Sequence, residues 1–299
     1  MTAPLSERSS TVAEAVRLQR RTERAAAGRF LAEGPNLVEA AARHGAVDQV
    51  FATETAAQRY RTLLDGLAVT GVTDRAMKAL SDTVTPAGLV AVCRMPAARL
   101  EDILAASPSL LVVASDIADP GNAGTLIRLA DAMGAAAVIF AGDAVDPFNG
   151  KCVRSSAGSV FAVPVVSEND TAGVIDRLRA AGLQVLATTL DGDLTLDDAQ
   201  PLLAGPTAWL FGPEAHGLSE EVAARADRRI VIPMSGSVDS LNVAAAAAIC
   251  LYQSARAQRG RQAPGRGVGA TPGVLSRPAS QGSASRKPFA AEGKSWPPG

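Results

Sequence analysis

Short apolar runs alternate with helix-like segments along the C-terminal half of the chain. Continuous apolar strands are predicted near residues 110–114, 136–140, 161–166, 184–189, 208–211 and 229–232. Helices are predicted between them near residues 123–133, 147–157 and 171–181, and a last helix starts near Asn242. Apolar strands that alternate with helices are typical of a parallel sheet covered on both faces. The pattern therefore predicts an α/β domain over residues 109–258.

A smaller α/β pattern precedes this domain. Strands are predicted at 30–34, 47–53, 67–70 and 88–93, and helices at 35–43, 56–64 and 74–80. The pattern stops near Met95-Pro96, and residues 97–108 are interpreted as a linker. We therefore predict an N-terminal domain over residues 1–96, with roughly the first 15 residues flexible.

The end of the chain has a different composition. Residues 259–299 are rich in Gly, Pro, Ser and Arg and are predicted to form a disordered basic tail. From Ala255 onward there are eight Lys and Arg and one acid, Glu292, which leaves 21 basic against 29 acidic residues before it. A basic tail on an acidic body fits a polyanionic partner and, equally, a solvated linker.

A second basic feature lies near the N-terminus. The side chains of Arg17, Arg20, Arg21 and Arg24 fall on one face if this segment is a single helix. Such a stripe fits an RNA contact and a solvated helix face about equally well. Both interpretations stay open from the sequence.

Composition excludes several classes of protein. With 299 residues, 47% of them hydrophobic and 20% charged, the chain is expected to fold as a globular protein of two domains. The longest apolar run, residues 243–251, is far shorter than the roughly 20 residues of a membrane span. The first residues contain no apolar signal segment, so we expect a cytoplasmic protein without a membrane partner. Cys93, Cys152 and Cys250 are widely spaced, which indicates reduced packing residues and no metal site.

Known catalytic motifs are missing, but polar residues follow several strands. No dinucleotide-binding glycine fingerprint and no phosphate-binding Gly-Lys-Ser/Thr loop occurs, and His44 and His216 belong to no nucleophile or metal motif. His216 lies in a glycine-rich loop, where a ligand contact and a plain loop position are both possible. Strand ends followed by a helix start form a crevice lined by backbone groups, which is a usual ligand site in α/β sheets. The polar residues at these ends are Asn122, Arg128, Arg154, Glu214, Ser240 and Asn242.

Arg128 is unusual because it lies in an apolar helix. Its neighbours are Leu126, Ile127, Leu129 and Met133. An arginine in such a helix pairs with an internal acid or reaches an anionic ligand. The sequence alone leaves these two alternatives open.

Three sequence motifs contain most of the polar residues at these strand ends. They are Asn122-x-Gly124-x-x-x-Arg128, Gly212-Pro213-Glu214-x-x-Gly217, and Ile232-Pro233-Met234 with Ser240-Leu241-Asn242-Val243-Ala244. In order and spacing they resemble the motifs of the SpoU (TrmH-like) RNA ribose 2′-O-methyltransferases of the SPOUT class, and the segment Arg29 to Ala40 resembles that family's N-terminal substrate-binding domain. The resemblance covers roughly residues 15–257. It implies an α/β SPOUT domain with a parallel sheet and a deep trefoil knot, a small N-terminal α/β domain, and a homodimer.

The resemblance also implies roles for individual residues. Arg128 resembles the catalytic arginine, and Asn122, Glu214, Ser240 and Asn242 are expected to hold it and the ribose. Arg154 resembles an arginine associated with RNA phosphate, and Arg20, Arg21 and Arg29 are further candidates for RNA contacts. No metal is implied. The residues expected to bind S-adenosylmethionine are Thr188, Thr189, Leu190, Leu210, Gly212, Gly217, Ile232, Met234 and Leu241.

The leading hypothesis is therefore S-adenosylmethionine-dependent methylation of a ribose 2′-hydroxyl in structured RNA. Ribosomal RNA is favoured over tRNA because, by family analogy, tRNA enzymes typically lack the N-terminal domain. A catalytically silent RNA-binding protein of the same fold is the alternative from another class, and the intact Arg128 and Asn122 argue against it. The proton acceptor, water or Glu214, stays open.

Overall fold

Two β-sheets organise the protein, and the computed structural model describes residues 3–213 and 216–262. In the first sheet the strand order is β1-β4-β2-β3, with β4 antiparallel to β1 and β2, and β2 parallel to β3. The carboxyl ends of β1, β2 and β3 therefore lie at one edge. The strands are β1 (Arg29–Glu33), β2 (Val47–Ala52), β3 (Val69–Gly71) and β4 (Leu89–Arg94).

Helices cover both faces of the first sheet. Val12 of α1 and Met77 of α6 pack on one face against Phe51, and Leu37 and Val38 of α3 belong to the core on the other face. The helices are α1 (Ser10–Arg17), α2 (Arg21–Ala27), α3 (Pro35–Arg43), α4 (Glu54–Arg59), α5 (Arg61–Leu64) and α6 (Asp74–Leu80).

The N-terminal segment differs from the sequence prediction in two ways. Helix α1 begins at Ser10 and buries Val12 and Ala15, within the stretch expected to be flexible. The single basic stripe is wrong, because α1 ends at Arg17 and a separate helix starts at Arg21. Arg24, moreover, is buried and pairs with Asp146. The spacing of side chains along a sequence cannot show where a helix breaks. The four arginines were therefore predicted to share one helical face, whereas they lie on two helices and the turn between them.

The second sheet has seven strands, all parallel, in the order β7-β6-β5-β10-β8-β11-β9. The predicted α/β architecture is thereby confirmed. The very short β9 was not predicted, because two residues carry no periodic signal. The strands are β5 (Leu110–Ser115), β6 (Val138–Ala141), β7 (Val165–Glu168), β8 (Gln184–Thr188), β9 (Leu194–Thr195), β10 (Thr207–Phe211) and β11 (Arg228–Val231).

Helices also cover both faces of this second sheet. Residues of α8, α9 and α12 share a core with Trp209, and residues of α7 and α10 pack on the opposite face against Leu111 and Val113. Trp209 Nε1 donates a hydrogen bond of 2.8 Å to Ser254 Oγ of α12. The helices are α7 (Leu100–Ala105), α8 (Pro120–Met133), α9 (Gly150–Ser155), α10 (Thr171–Ala180), α11 (Glu220–Ala224) and α12 (Val243–Gln262).

Several boundaries differ from those predicted. Helix α8 starts at Pro120, before the predicted start, because Asp119 Oδ1 accepts from the Asn122 N–H at 2.8 Å and proline fits a first helical position. Helix α7 occupies part of the predicted linker. Helix α12 continues to Gln262, into the predicted tail, and residues 263–299 lie outside the described residues.

The two sheets are joined by a shared apolar core. The Phe30 ring of β1 lies 5.1 Å from Phe148 and 5.5 Å from Phe161, measured between ring centroids. Aromatic pairs at this separation stabilise a contact beyond the area they bury. In the part of the chain that the structure describes, no helix is long and apolar enough to cross a bilayer.

Candidate active site

Four neighbouring strands, β5, β10, β8 and β11, end at the same edge of the parallel sheet. The segments that follow β10, β8 and β11 line a cleft of about 210 Å³. The carboxyl edge of a parallel sheet is where ligands bind in this class of fold. The lining residues are Thr188, Thr189, Leu190, Gly212, Pro213, Gly217, Ile230, Val231, Ile232, Met234, Asp239, Ser240, Leu241, Val243 and Ala246.

The residues expected to bind the methyl donor come together in this cleft, with one exception. Leu210 is fully buried within β10, and its carbonyl accepts from Thr188 Oγ1 at 3.4 Å, so it supports the cleft from behind. Six further lining residues were not singled out from the sequence as donor contacts, all of them within or close to the quoted motifs: Pro213, Ile230, Val231, Asp239, Val243 and Ala246. Their only signal in the sequence is this adjacency.

The chemistry of the cleft fits S-adenosylmethionine. Thr189 Oγ1 is buried and has no hydrogen-bond partner among the described residues, so it is available to bond a polar atom of a ligand in the cleft. At Gly212 a Cβ would lie 2.5 Å from the Leu218 nitrogen and 2.7 Å from the Gly217 carbon, so only glycine lets these backbone segments approach. The apolar side chains suit the adenine ring and the methionine stem, and peptide groups suit the polar atoms.

Two asparagine side chains lie beside the cleft and bind each other. Asn242 Nδ2 donates to Asn122 Oδ1 at 3.1 Å. Asn242 Oδ1 also accepts from the Ala244 N–H at 2.9 Å and so caps the start of α12. Because Leu241 and Val243 both line the cleft, the amide pair is fixed at its rim. The structure thus joins two motifs that are 120 residues apart in sequence.

Arg128 is not part of this cluster within one chain. It is exposed on α8 and makes no hydrogen bond or ion pair with any described residue. The alternative that Arg128 pairs with an internal acid therefore finds no support in the described residues. The expectation that Asn122, Ser240 and Asn242 hold it is not met in the single chain. Ser240 lines the cleft, and Glu214 lies outside the described residues.

A second cleft of about 870 Å³ adjoins the first. It includes exposed His216, so this histidine borders a possible ligand site without belonging to a catalytic group. The two clefts share Thr189, Leu190, Gly217, Asp239 and Ser240. The two clefts are therefore continuous along these five residues.

The four arginines predicted to bind RNA lie at different places. Arg20 and Arg21 are exposed at the turn between α1 and α2, and Arg29 pairs with Asp48 at 2.7 Å while half exposed. Arg154 of α9 is bound by Asp82 and lies 3.6 Å from Glu33. Leu18 and Gln19, which directly precede Arg20 and Arg21 in the chain, line a small cleft together with Arg154.

Two further chemistries find no support in the described residues. Burial raises the pKa of Cys93 and of Cys152 to about 12, and it also raises the pKa of Cys250. These thiols are therefore protonated and unpaired packing residues. In the described part of the chain, no three His, Cys, Asp or Glu side chains form a group that could hold a metal ion.

Comparison with known proteins connects this geometry to a family. Residues 109–252 match the sequence profile of the SpoU rRNA Methylase family, and residues 9–91 match the MRM3-like substrate binding domain. The 23S rRNA (guanosine(2553)-2'-O)-methyltransferase RlmP of Bacillus subtilis is 33% identical over 247 residues, covering 83% of this chain and 96% of the relative. The 23S rRNA (uridine(2479)-2'-O)-methyltransferase of Streptomyces viridochromogenes is 34% identical over 252 residues, covering 80% and 86%.

A solved structure extends the comparison to the donor cleft. The SpoU methyltransferase AviRb from Streptomyces viridochromogenes, in complex with AdoMet, superimposes with a TM-score of 0.72 at 32% identity. The alignment covers 84% of this chain and 100% of that one. Together with these matches, the parallel sheet and the small N-terminal α/β domain place the chain in the class of two-domain SPOUT methyltransferases. The chain belongs to the SpoU rRNA Methylase family, and the resemblance seen in the sequence is confirmed.

Proposed function

We propose that this protein transfers a methyl group from S-adenosylmethionine to a ribose 2′-hydroxyl of ribosomal RNA. The observation that carries this proposal is the fixed Asn122–Asn242 pair at the rim of a cleft that fits the methyl donor. Relatives that align over most of their length are named as 23S rRNA 2′-O-methyltransferases. The protein is accordingly an RNA ribose 2′-O-methyltransferase.

The residues of the chain have to align the ribose and stabilise its oxygen. S-adenosylmethionine, when bound, supplies a methyl group that its sulfonium has already activated. The 2′-oxygen attacks that carbon as the carbon–sulfur bond breaks, and the hydroxyl proton leaves to water or to Glu214. Arg128 is a poor candidate for the base, because a guanidinium carries five N–H donors and no acceptor. Its role is to stabilise the developing alkoxide and to hold the adjacent phosphate.

The residues that this chain shares with its relatives do not determine which nucleotide is methylated. The two relatives at 33% and 34% identity act on a guanosine and a uridine. A site that serves both bases recognises the ribose and phosphate, so the N-terminal domain selects the RNA segment. The larger cleft beside Ser240 has room for the target nucleotide.

The working unit is a homodimer in the cytoplasm, with the C-terminal segment of each chain threaded as a trefoil knot. An exposed stripe on α12 supports the dimer: Ala245, Ile249 and Tyr252 lie one turn apart, and the last two are 37% and 49% exposed. Such a stripe next to buried helix faces is typical of a helix–helix interface. We propose that Arg128, which is exposed on α8 and does not line the cleft of its own chain, acts at the cleft of the second copy.

The purified protein is expected to bind S-adenosylmethionine and its demethylated product without added metal. The reason is the apolar cleft with the orphaned Thr189 hydroxyl. Isothermal calorimetry measures the affinity, and Gly212→Val, which places a branched side chain against Leu218, is expected to abolish it. Absence of binding to the wild-type protein would remove the enzyme interpretation.

A homodimer is expected in solution at micromolar concentration. Ile249→Glu with Tyr252→Glu places two charges in the α12 stripe and is expected to give monomers, because buried unpaired charges oppose association. Light scattering gives the mass of each form. Glu substitutions at Val69 and Val84, which are 41% and 98% exposed and lie outside the stripe, are the control. A wild-type monomer contradicts the proposal.

A further inference from the structure

An ion cluster joins the N-terminal domain to helix α9. Arg154 Nη1 donates to Asp82 and lies 3.6 Å from Oε2 of Glu33. Glu33 is the last residue of β1, and Asp82 lies in the loop after α6, so both acids belong to the N-terminal domain. We name these three residues the domain-joint cluster.

Glu33 explains why Arg154 is held in place. Its side chain is only 9% exposed, and Oε1 accepts from Ser81 Oγ at 2.5 Å and Thr83 Oγ1 at 2.7 Å. Oε2 has no hydrogen bond from any described residue, so the guanidinium of Arg154 is its charge partner. A buried carboxylate that loses its cation is strongly unfavourable. Arg154 is therefore a part of the joint.

The charge balance at the joint opposes a direct phosphate contact. Two carboxylates face the Arg154 guanidinium, and the charge of neighbouring Arg24 is balanced by Asp146, so the cluster is negative before RNA arrives. A phosphate bound to Arg154 would have to displace Asp82 and would lie close to Glu33. Like charges at this distance repel. The phosphate role that the resemblance implies for Arg154 therefore conflicts with this arrangement.

Helix α9 connects the joint to the active site. A Cβ on Gly124 of α8 would lie 2.6 Å from Ser155 Cβ and 2.9 Å from the Ser156 nitrogen, so α8 and α9 are in close contact. Lys151 Nζ lies 3.2 Å from Asp119, whose carboxylate also caps the turn that carries Asn122. The Asn122 N–H holds the pKa of Asp119 below its ordinary value. A shift of α9 would thus displace Asn122.

We propose that Arg154 is a positioning residue. Held by Glu33 and Asp82, it fixes α9 and, through α9, the turn of α8 that places Asn122 beside the donor cleft. Docking of RNA on the N-terminal domain is thereby coupled to alignment of the active site. The proposal rests on the methyltransferase function proposed above and adds a residue role and a coupling path to it.

Asp82→Asn distinguishes a positioning role from a phosphate contact, because the first predicts a lower kcat and the second predicts a higher affinity for RNA. The substitution keeps the shape of the side chain and weakens its hold on Arg154. A positioning role predicts that kcat falls about threefold to thirtyfold while RNA affinity changes less than about twofold. A phosphate contact predicts tighter RNA binding, because Arg154 is released. The control is Asp176→Asn, in the surface pair with Arg225, which is expected to change neither quantity.

A charge exchange supplies the second test. Arg154→Glu places three acids together and is expected to lower kcat by at least about tenfold. Adding Asp82→Arg restores one cation between two acids and is expected to return kcat to within about threefold of wild type. A double variant as impaired as Arg154→Glu alone would overturn the proposal. So would Arg154→Ala if it lowered the salt slope of RNA binding by about 0.7–0.9, the value for one lost phosphate contact.

Hydrogen exchange separates this proposal from the proposed function. In Asp82→Asn, amides of residues 119–125 and 150–155 are expected to exchange faster than in wild type, with S-adenosylmethionine affinity unchanged. This readout needs no methyl transfer. If the wild-type protein transferred no methyl group, the proposed function would fail. The exchange data would still show whether the domain-joint cluster holds α9 and the start of α8 in place. Unchanged exchange in both segments would overturn the positioning role.

Discussion

Replacing Arg128 by alanine is expected to lower the rate of methyl transfer at least about a hundredfold, the typical effect of losing one oxyanion-stabilising donor. The side chain is exposed and makes no contact with a described residue, so its removal leaves the fold of α8 intact. The donor cleft contains no part of it, so S-adenosylmethionine affinity is expected to stay within a few-fold. The loss should therefore fall on kcat.

Tritiated methyl transfer to ribosomal RNA, followed by mapping of the methylated ribose, measures this effect. Arg128→Lys is expected to rescue little, because an ammonium cannot reproduce the planar guanidinium fork. Asp131→Ala, a neighbouring exposed substitution on the same helix, is the control and should retain wild-type rate. If Arg128→Ala worked at nearly wild-type rate, the chemistry would have to be assigned to Glu214 or Ser240.

The position of Arg128 also gives the dimer a functional test. If the arginine acts on the partner's cleft, each active site combines Arg128 of one chain with the donor cleft of the other. A mixed dimer of Arg128→Ala and Gly212→Val then contains one site in which both parts are intact. Random exchange of subunits in a two-fold dimer should then restore about a quarter of wild-type activity. No recovery is expected if each chain uses its own Arg128. The mixture is assayed after subunit exchange, with each variant alone as the reference.

The sequence was sufficient to predict most of the fold, for identifiable reasons. Strands such as β5 and β10 are continuous apolar runs, which is the pattern of a parallel strand buried on both faces. Helix ends were less accurate because caps depend on single side chains, as Asp119 shows for α8. The short β9 and α11 have too few residues for a period to appear.

The sequence predicted which residues form the active site, but it predicted their relative positions only in part. Motif spacing placed Asn122 and Asn242 in one site, and the structure joins their side chains. Spacing cannot show which side of α8 is covered, so Arg128 was expected inside a cluster that one chain does not form. Arg154 illustrates the same limit: its carboxylate partners come from the other domain, far away in sequence.

Arg24 shows most clearly what periodicity cannot detect. Its side chain is 5% exposed, and its nitrogen atoms donate to the carbonyls of Leu18 and Gln19 at 2.9 and 2.8 Å. Nε also donates to Asp146 Oδ2 at 2.9 Å, across to the other domain. Nothing in the local pattern distinguishes this arginine from exposed Arg20 and Arg21. Only the tertiary partner decides which arginine is structural.

Arg24→Ala is therefore expected to destabilise the protein by about 3–5 kcal/mol, the cost of leaving a buried charge without its partner. Two backbone carbonyls lose their donor at the same time, which acts in the same direction. Urea denaturation followed by tryptophan fluorescence, to which the buried Trp209 contributes, measures the shift in midpoint. Arg21→Ala, three residues earlier and exposed, is the matched control and should change stability by less than about 0.5 kcal/mol.

The partner variant decides whether the pair itself is responsible for this loss. Asp146 Oδ1 also accepts from the Phe148 N–H at 2.9 Å, so Asp146→Asn can keep that bond while losing its charge. In the Arg24→Met/Asp146→Asn double variant no charge is left unpaired, and the methionine fills part of the space. We expect it to recover at least about half of the lost stability, since a buried pair replaced on both sides is far less costly than a broken one. A double variant as unstable as Arg24→Met alone would contradict this expectation. It would mean that Arg24 stabilises the protein through its hydrogen bonds to the carbonyls of Leu18 and Gln19, and not through its ion pair with Asp146.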